Sequence, residues 1–208
     1  MVRDGYKFAA PPLLAGLAAL AFGLKWTPAL WIGAVLVLLG AFVVYFFRDP
    51  ERIIPLDGAA IVSPADGRVM EVAEESFEQR PGRRISIFLA IWNVHMSRSP
   101  MAGRIERLEY RPGRFYAAMR SRASAENEQN VIRLSTERGE IVFKQIAGWV
   151  ARRVVCWKKP GDQVAMGERI GLIRFGSRMD VWLPHGAEIL VAPGEHVAGG
   201  SSILARWT

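Results

Sequence analysis

Cysteine is almost absent: Cys156 is the only one in 208 residues, so no intrachain disulfide can brace the fold. That suits a reducing compartment and leaves the thiol a small, buried apolar role. Histidine is nearly as scarce, at positions 95, 185 and 196, so a histidine base has three candidates. No zinc-ligand spacing and no aromatic-basic RNA-binding motif occurs, so neither a metal nor nucleic acid is expected. The net charge of +7 and pI near 10.1 then point to an anionic membrane surface. Strands do not alternate with helical runs beyond residue 52, which argues against a parallel nucleotide-binding sheet.

Charge is missing altogether from residues 28–47, PALWIGAVLVLLGAFVVYFF. As a helix this run would be about 30 Å long, one hydrocarbon thickness. Residues 8–24 are also uncharged, but Pro11 and Pro12 lie near their start, so this piece reads as a short second span or a re-entrant segment. Arg3 and Lys7 precede it, Lys25 alone lies between the two, and Arg48 and Arg52 follow. That bias favours a hairpin in the cell membrane with both ends, and the rest of the chain, on the cytoplasmic side. A cleaved signal peptide ending near Ala19-Leu20-Ala21 is the alternative, and 28–47 would still remain as an anchor. The expected division is a membrane anchor over 1–47 and a catalytic domain over 48–208.

After Arg52 the pattern is mainly β. Short runs at Ala59–Val62, Arg68–Val72, Ile85–Ile91, Gly103–Tyr110, Val131–Ser135, Glu140–Ile146 and Val154–Trp157 read as strands. The best helix is Phe115–Ser121, and the polar residues 120–130 read as a mobile loop. Residues 161–170, GDQVAMGERI, align without gaps on 194–203, GEHVAGGSSI. Gly-acid-x-Val-x-x-Gly-x-x-Ile is the pattern of a flattened β-sandwich of the barrel-sandwich kind, as in lipoyl and biotinyl carriers. A carrier needs a lysine at the hairpin tip. Between the repeats there is no lysine; Gly176-Ser177 stands there instead.

Gly176-Ser177 interrupts the alternation of Ile173 and Phe175 with Met179, Val181 and Leu183, so a strand bends at a potential nucleophile. The bare dipeptide is also an ordinary turn. His185 and His196 occupy turn-like, solvated positions, whereas His95 closes the apolar run 85–94, where a strand would emerge into a site. By its residues alone His95 is equally a hydrogen-bonded structural histidine, and Asp66 in Pro-Ala-Asp-Gly is equally a β-turn residue.

The stretch RFGSRMDVWLP (174–184) closely resembles the self-cleavage site of short-form phosphatidylserine decarboxylase proenzymes. FFRDPER (46–52), VSPADGRV (62–69), NVHMSRSP (93–100), ENEQN (126–130) and ARRVVCW (151–157) match further family motifs in order. The resemblance implies a lyase in phosphatidylethanolamine biosynthesis, converting phosphatidylserine to phosphatidylethanolamine and CO2. It implies Ser177 as nucleophile, His95 as base and Asp66 as the carboxylate orienting it. Cleavage between Gly176 and Ser177 would leave a large chain of 1–176 and a small chain of 177–208. Residue 177 would become a covalent pyruvoyl cofactor, so that neither pyridoxal phosphate nor metal is needed. Arg178, Arg152, Arg153 and Trp92 are the candidates for substrate contact, and a homodimer is possible. Larger relatives carry a second histidine at the position of Trp92, so His95 is expected to serve both steps. A decarboxylase of another serine-headgroup lipid, such as archaetidylserine, and a non-catalytic membrane-anchored β-sandwich are the alternatives.

Overall fold

The computed structural model describes residues 2–149, 153–174 and 177–208 and divides into two compact units, Met1–Pro50 and Glu51–Thr208. The first is a helical hairpin, α1 (Arg3–Gly23) and α2 (Pro28–Phe46), with both helices long and apolar enough to cross a membrane. Pro11 and Pro12 do not break α1, which runs unbroken for 21 residues. The helices close on glycine. A Cβ on Gly16 would stand 2.8 Å from Val37 Cγ2, and one on Gly33 would stand 2.7 Å from Leu20 Cγ. The Val2 N–H donates to the Phe47 carbonyl at 3.1 Å, so the hairpin's two ends lie together.

The second unit contains β1 (Ala60–Val62), β2 (Gly67–Glu74), β3 (Arg83–Leu89), β4 (Met96–Arg98), β5 (Gly103–Arg111), the short α3 (Ala123–Glu126), β6 (Gln129–Thr136) and β7 (Gly139–Ile146). It continues with β8 (Val154–Cys156), β9 (Gln163–Val164), β10 (Arg169–Ile173), β11 (Ser177–Leu183), β12 (Ala187–Ile189), β13 (His196–Val197) and β14 (Ile203–Trp207). One eight-stranded sheet runs β13-β2-β3-β11-β7-β6-β5-β9, and two three-stranded sheets run β1-β14-β12 and β4-β10-β8. The core lies between them: Ile85, Ile87, Ile132, Phe143, Met179 and Val181 of the large sheet join Ile61, Ile170, Ile173 and Leu204 of the small ones.

These sheets are two interlocked copies of one seven-stranded motif. The strand orders of the two small sheets correspond, and the large sheet reads the same from either end when β11 is matched to β7. The GDQV and GEHV repeats supply equivalent edge strands, β9 on β5 and β13 on β2. Their glycines share left-handed backbone: φ is 95° at Gly161 and 100° at Gly194, 72° at Gly167 and 81° at Gly200. A second echo, SPADGRV (63–69) against SPMAGRI (99–105), supplies the partners. Gly67 faces Val197 as Gly103 faces Val164, and Arg68 faces His196 as Arg104 faces Gln163. The Gly200 N–H donates to Ser63 O at 2.8 Å and the Gly167 N–H to Ser99 O at 2.9 Å.

The copies are nested. In one, β6 turns directly into β7 through Glu137-Arg138, with Thr136 opposite Gly139. In the other, the equivalent hairpin between β3 and β11 is open: Leu89 faces Ser177, and the whole second copy is inserted between them. Two crossovers join the copies: residues 90–95, which end at His95, and the link from β10 to Ser177.

Two local expectations differ from the structure. Residues 115–121 are irregular, with turns only from 118 onward, and the helix lies just beyond them at α3. The polar run 120–130 is not an open loop at its end: Asn127, Glu128, Gln129 and Asn130 are all buried. Their hydrogen bonds explain why polarity misled. Asn127 Nδ2 donates to Tyr116 O at 2.9 Å and Ala147 O at 2.7 Å, and its Oδ1 accepts the Tyr116 N–H.

Candidate active site

Ser177 opens β11, and alternation sets its direction. Met179, Val181 and Leu183 point into the core, so Ser177 points the same way, opposite Leu89. Its side chain is 0% exposed and its Oγ has no hydrogen-bond partner among the described residues. Burying a hydroxyl unpaired costs about 1–3 kcal/mol. It is also shielded from any molecule in solution. What such an oxygen can attack is its own chain, and the carbonyl of residue 176 is one bond from its backbone nitrogen.

His95 ends the other crossover. The Asn93 side chain accepts the Ala90 N–H at 2.8 Å while the Asn93 N–H donates to Ala90 O at 2.8 Å, closing a tight turn. That turn aims the Asn93 carbonyl at His95 Nδ1, 2.9 Å away. A carbonyl only accepts, so Nδ1 carries the hydrogen, and in the neutral ring Nε2 keeps its lone pair. The ring is buried. The Ile173 N–H donates to the His95 carbonyl at 3.1 Å, so the two crossovers run side by side. Ser177 follows Ile173 by four residues, at most about 14 Å of extended chain. His185 and His196 are exposed, and the nearest acid to His185 is Glu74, at 3.7 Å.

Asp66, expected on His95, is held elsewhere. Arg52 Nη2 meets its two oxygens at 2.8 and 2.7 Å, and the Gly199 N–H donates to Oδ1 at 2.8 Å. In the second copy this position is Ala102, so the ion pair belongs to one copy alone. The link to the base is through the backbone, since Pro64 O accepts the N–H of Arg98, three residues after His95.

Arg178, expected at the lipid headgroup, is 2% exposed and lies on the opposite sheet face from Ser177. Its Nε donates to Asp180 Oδ1 at 2.6 Å and its Nη2 to Ser86 Oγ at 2.8 Å. Ser124 Oγ of α3 donates to the other Asp180 oxygen at 2.6 Å. Arg84 joins through Ser86 and pairs with Glu71 and Glu75. Lys144, cross-strand from Asp180, has its ammonium 4.7 Å from the Trp182 ring, and burial lowers its pKa while Asp180 opposes the shift. The network clamps β11 directly behind its first residue. Removing one partner of a buried ion pair costs about 3–5 kcal/mol. Asp180→Ala should therefore melt roughly 6–20 °C below the parent in calorimetry. A loss under about 2 °C would mean the clamp contributes little.

Gln145 was not singled out by sequence. It is fully buried, donating to Ser97 Oγ at 2.9 Å and Val155 O at 3.2 Å and accepting from Asn130 Nδ2 at 2.9 Å. It ties β7 to β4, which begins directly after His95. The signal was present: in GEIVFKQI it holds an inward position that alternation assigns to an apolar residue. Arg153 is exposed, and its carbonyl accepts the Arg174 N–H at 3.2 Å, placing it beside the second crossover. Trp92 is 64% exposed on the first. Gly176 and Arg152 lie outside the described residues. No group of three His, Cys, Asp or Glu side chains is placed to hold a metal among the described residues.

His95, the buried serine and all of the paired copies but the end of β14 fall inside residues 39–205, which match the family model described as phosphatidylserine decarboxylase. By that match over most of its length, the chain belongs to the phosphatidylserine decarboxylase family.

Proposed function

We propose that this chain is a self-processing proenzyme that cleaves between Gly176 and Ser177, converts residue 177 to a pyruvoyl group, and decarboxylates phosphatidylserine. The observation that carries the reading is the buried, unpartnered Oγ of Ser177 at the opened end of the β3–β11 hairpin. An oxygen closed to solvent suits attack on its own backbone and fits a group made from that residue in place. His95 Nε2 takes the Ser177 proton, and Oγ adds to the Gly176 carbonyl. Collapse breaks the C–N bond and leaves an ester, with the proton returned to the nitrogen. Loss of the residue 177 α-proton expels the Gly176 carboxylate and leaves dehydroalanine, which water converts to the ketone with release of ammonia. A ketone conjugated to an amide takes up a primary amine and accepts the electron pair left by departing CO2. Asp66 acts in this scheme as a positioning residue, through the turn that supports β4. Arg153 and Arg152 are the proposed headgroup cations, and the helical hairpin holds the catalytic unit at the cytoplasmic membrane face.

The test is intact-mass spectrometry of purified protein, with lipid analysis of cells that lack their own decarboxylase. Two masses, 1–176 and 177–208 with a blocked first residue, and restored phosphatidylethanolamine are the expected result. The fragments should co-elute without denaturant, because β11 pairs on both sides with β3 and β7 while β14 pairs with β1. A single uncut mass in active protein would overturn the reading.

The catalytic unit has its own core, so a chain starting near Arg48 should still cleave itself. Its activity should fall chiefly on bilayer substrate and return in mixed micelles. Failure to self-process would place the hairpin in the folding core.

A further inference from the structure

A cavity of about 530 Å³ opens on the sheet face opposite Ser177, within the roughly 300–1,000 Å³ typical of ligand sites. Met70 of β2 and Phe88 of β3 line it half-buried, and Met119 and Trp92, both 64% exposed, stand at its edge. Ala90 and Asn93 complete that side. These are the residues whose reciprocal hydrogen bonds close the turn carrying His95, so one turn builds both the cavity wall and the base. Phe88 also faces Arg178 across the ladder, one residue from Ser177. Arg68 and His196 lie at the opposite edge; Arg68 Nε donates to Gly194 O at 3.0 Å.

We propose that this cavity seats one acyl chain of the diacyl phospholipid. The proposal rests on the chain's being a phosphatidylserine decarboxylase. Three observations select a lipid tail as occupant. Its half-buried lining, Met70 and Phe88, is apolar, as a hydrocarbon tail requires. Exposed Trp92 and Met119 line it where the remaining chain would emerge. The cavity adjoins the turn beside the reacting strand, so a seated tail brings its headgroup to the crossovers. The site would reject headgroups lacking a tail and grade substrates by acyl length.

The test uses the full chain in non-ionic detergent with glycerophosphoserine and dibutanoyl, dihexanoyl and dioctanoyl phosphatidylserine. Each methylene seated should lower the parent's KM by up to about fourfold. Met70→Trp, which fills the cavity, and Met119→Asp, which charges its edge, should flatten that series about tenfold or more between shortest and longest lipid. Neither should change the KM for glycerophosphoserine. Independently of turnover, lipids brominated on the acyl chain should quench tryptophan emission of the uncut Ser177→Ala chain carrying Trp26→Phe and Trp31→Phe, and adding Trp92→Phe should remove at least about half of that quenching. Turnover with an unchanged length series in both variants, and quenching indifferent to Trp92, overturns the acyl site. Quenching that depends on Trp92 without turnover of any lipid keeps the site and removes the decarboxylase reading.

Discussion

Ser177→Ala leaves one uncut chain of full mass and no measurable decarboxylase activity, because alanine has no oxygen with which to form the ester. Under the proposed mechanism the loss should be complete rather than graded, since the residue whose oxygen would start the cleavage is also the one that would be converted to the cofactor. Stability should move the other way. The Ser177 hydroxyl is buried without a partner, and deleting such a group relieves about 1–3 kcal/mol. The uncut Ser177→Ala chain should therefore melt at or above an uncut chain that keeps the serine, such as His95→Gln. Turnover at parental level by Ser177→Ala would defeat the mechanism. A melting point several degrees below the His95→Gln chain would mean that Oγ has a partner in solution.

Different parts of this arrangement were legible for different reasons. The repeat at 161–170 and 194–203 could be read because glycine at left-handed φ and inward valine are local demands, and both copies meet them. Its echo at 63–69 and 99–105 is a weaker pattern. Asp66 against Ala102 breaks the likeness where one copy alone holds Arg52. Strand positions followed from alternation to within a residue or two. Nesting could not be read, because the open hairpin pairs Leu89 with a serine 88 positions later and no local rule links them. Arg178 was misplaced for a related reason: a cation beside the reacting serine suggests a substrate contact, but β alternation turns it to the opposite face, where Asp180 and Ser86 receive it. Asn127 looked like loop because the carbonyls that receive its amide, Tyr116 O and Ala147 O, are distant in sequence.

His95 should carry decarboxylation as well as self-cleavage. Trp92 stands where larger relatives place a second histidine, and His185 and His196 are exposed on turns. Of the three histidines, His95 alone is buried beside the crossover that leads into Ser177, with its Nδ1 held by the Asn93 carbonyl. A direct His95→Ala substitution cannot test this, because it stops at the uncut chain. Joining a separately made small chain of 177–208, already bearing the pyruvoyl group, to a large chain of 1–176 with His95→Ala bypasses cleavage. The β11 ladder with β3 and β7 supplies the register for that assembly. Positioned acid–base groups contribute about 100- to 10,000-fold in rate, and kcat should fall by that much against a parental pair assembled the same way. Reductive trapping of the substrate amine on the small chain should stay normal, which locates the loss after amine capture. A reconstituted variant within about threefold of the parent, far short of that range, would show that another group protonates the product carbanion. Trp92→His would then ask whether the position can supply it.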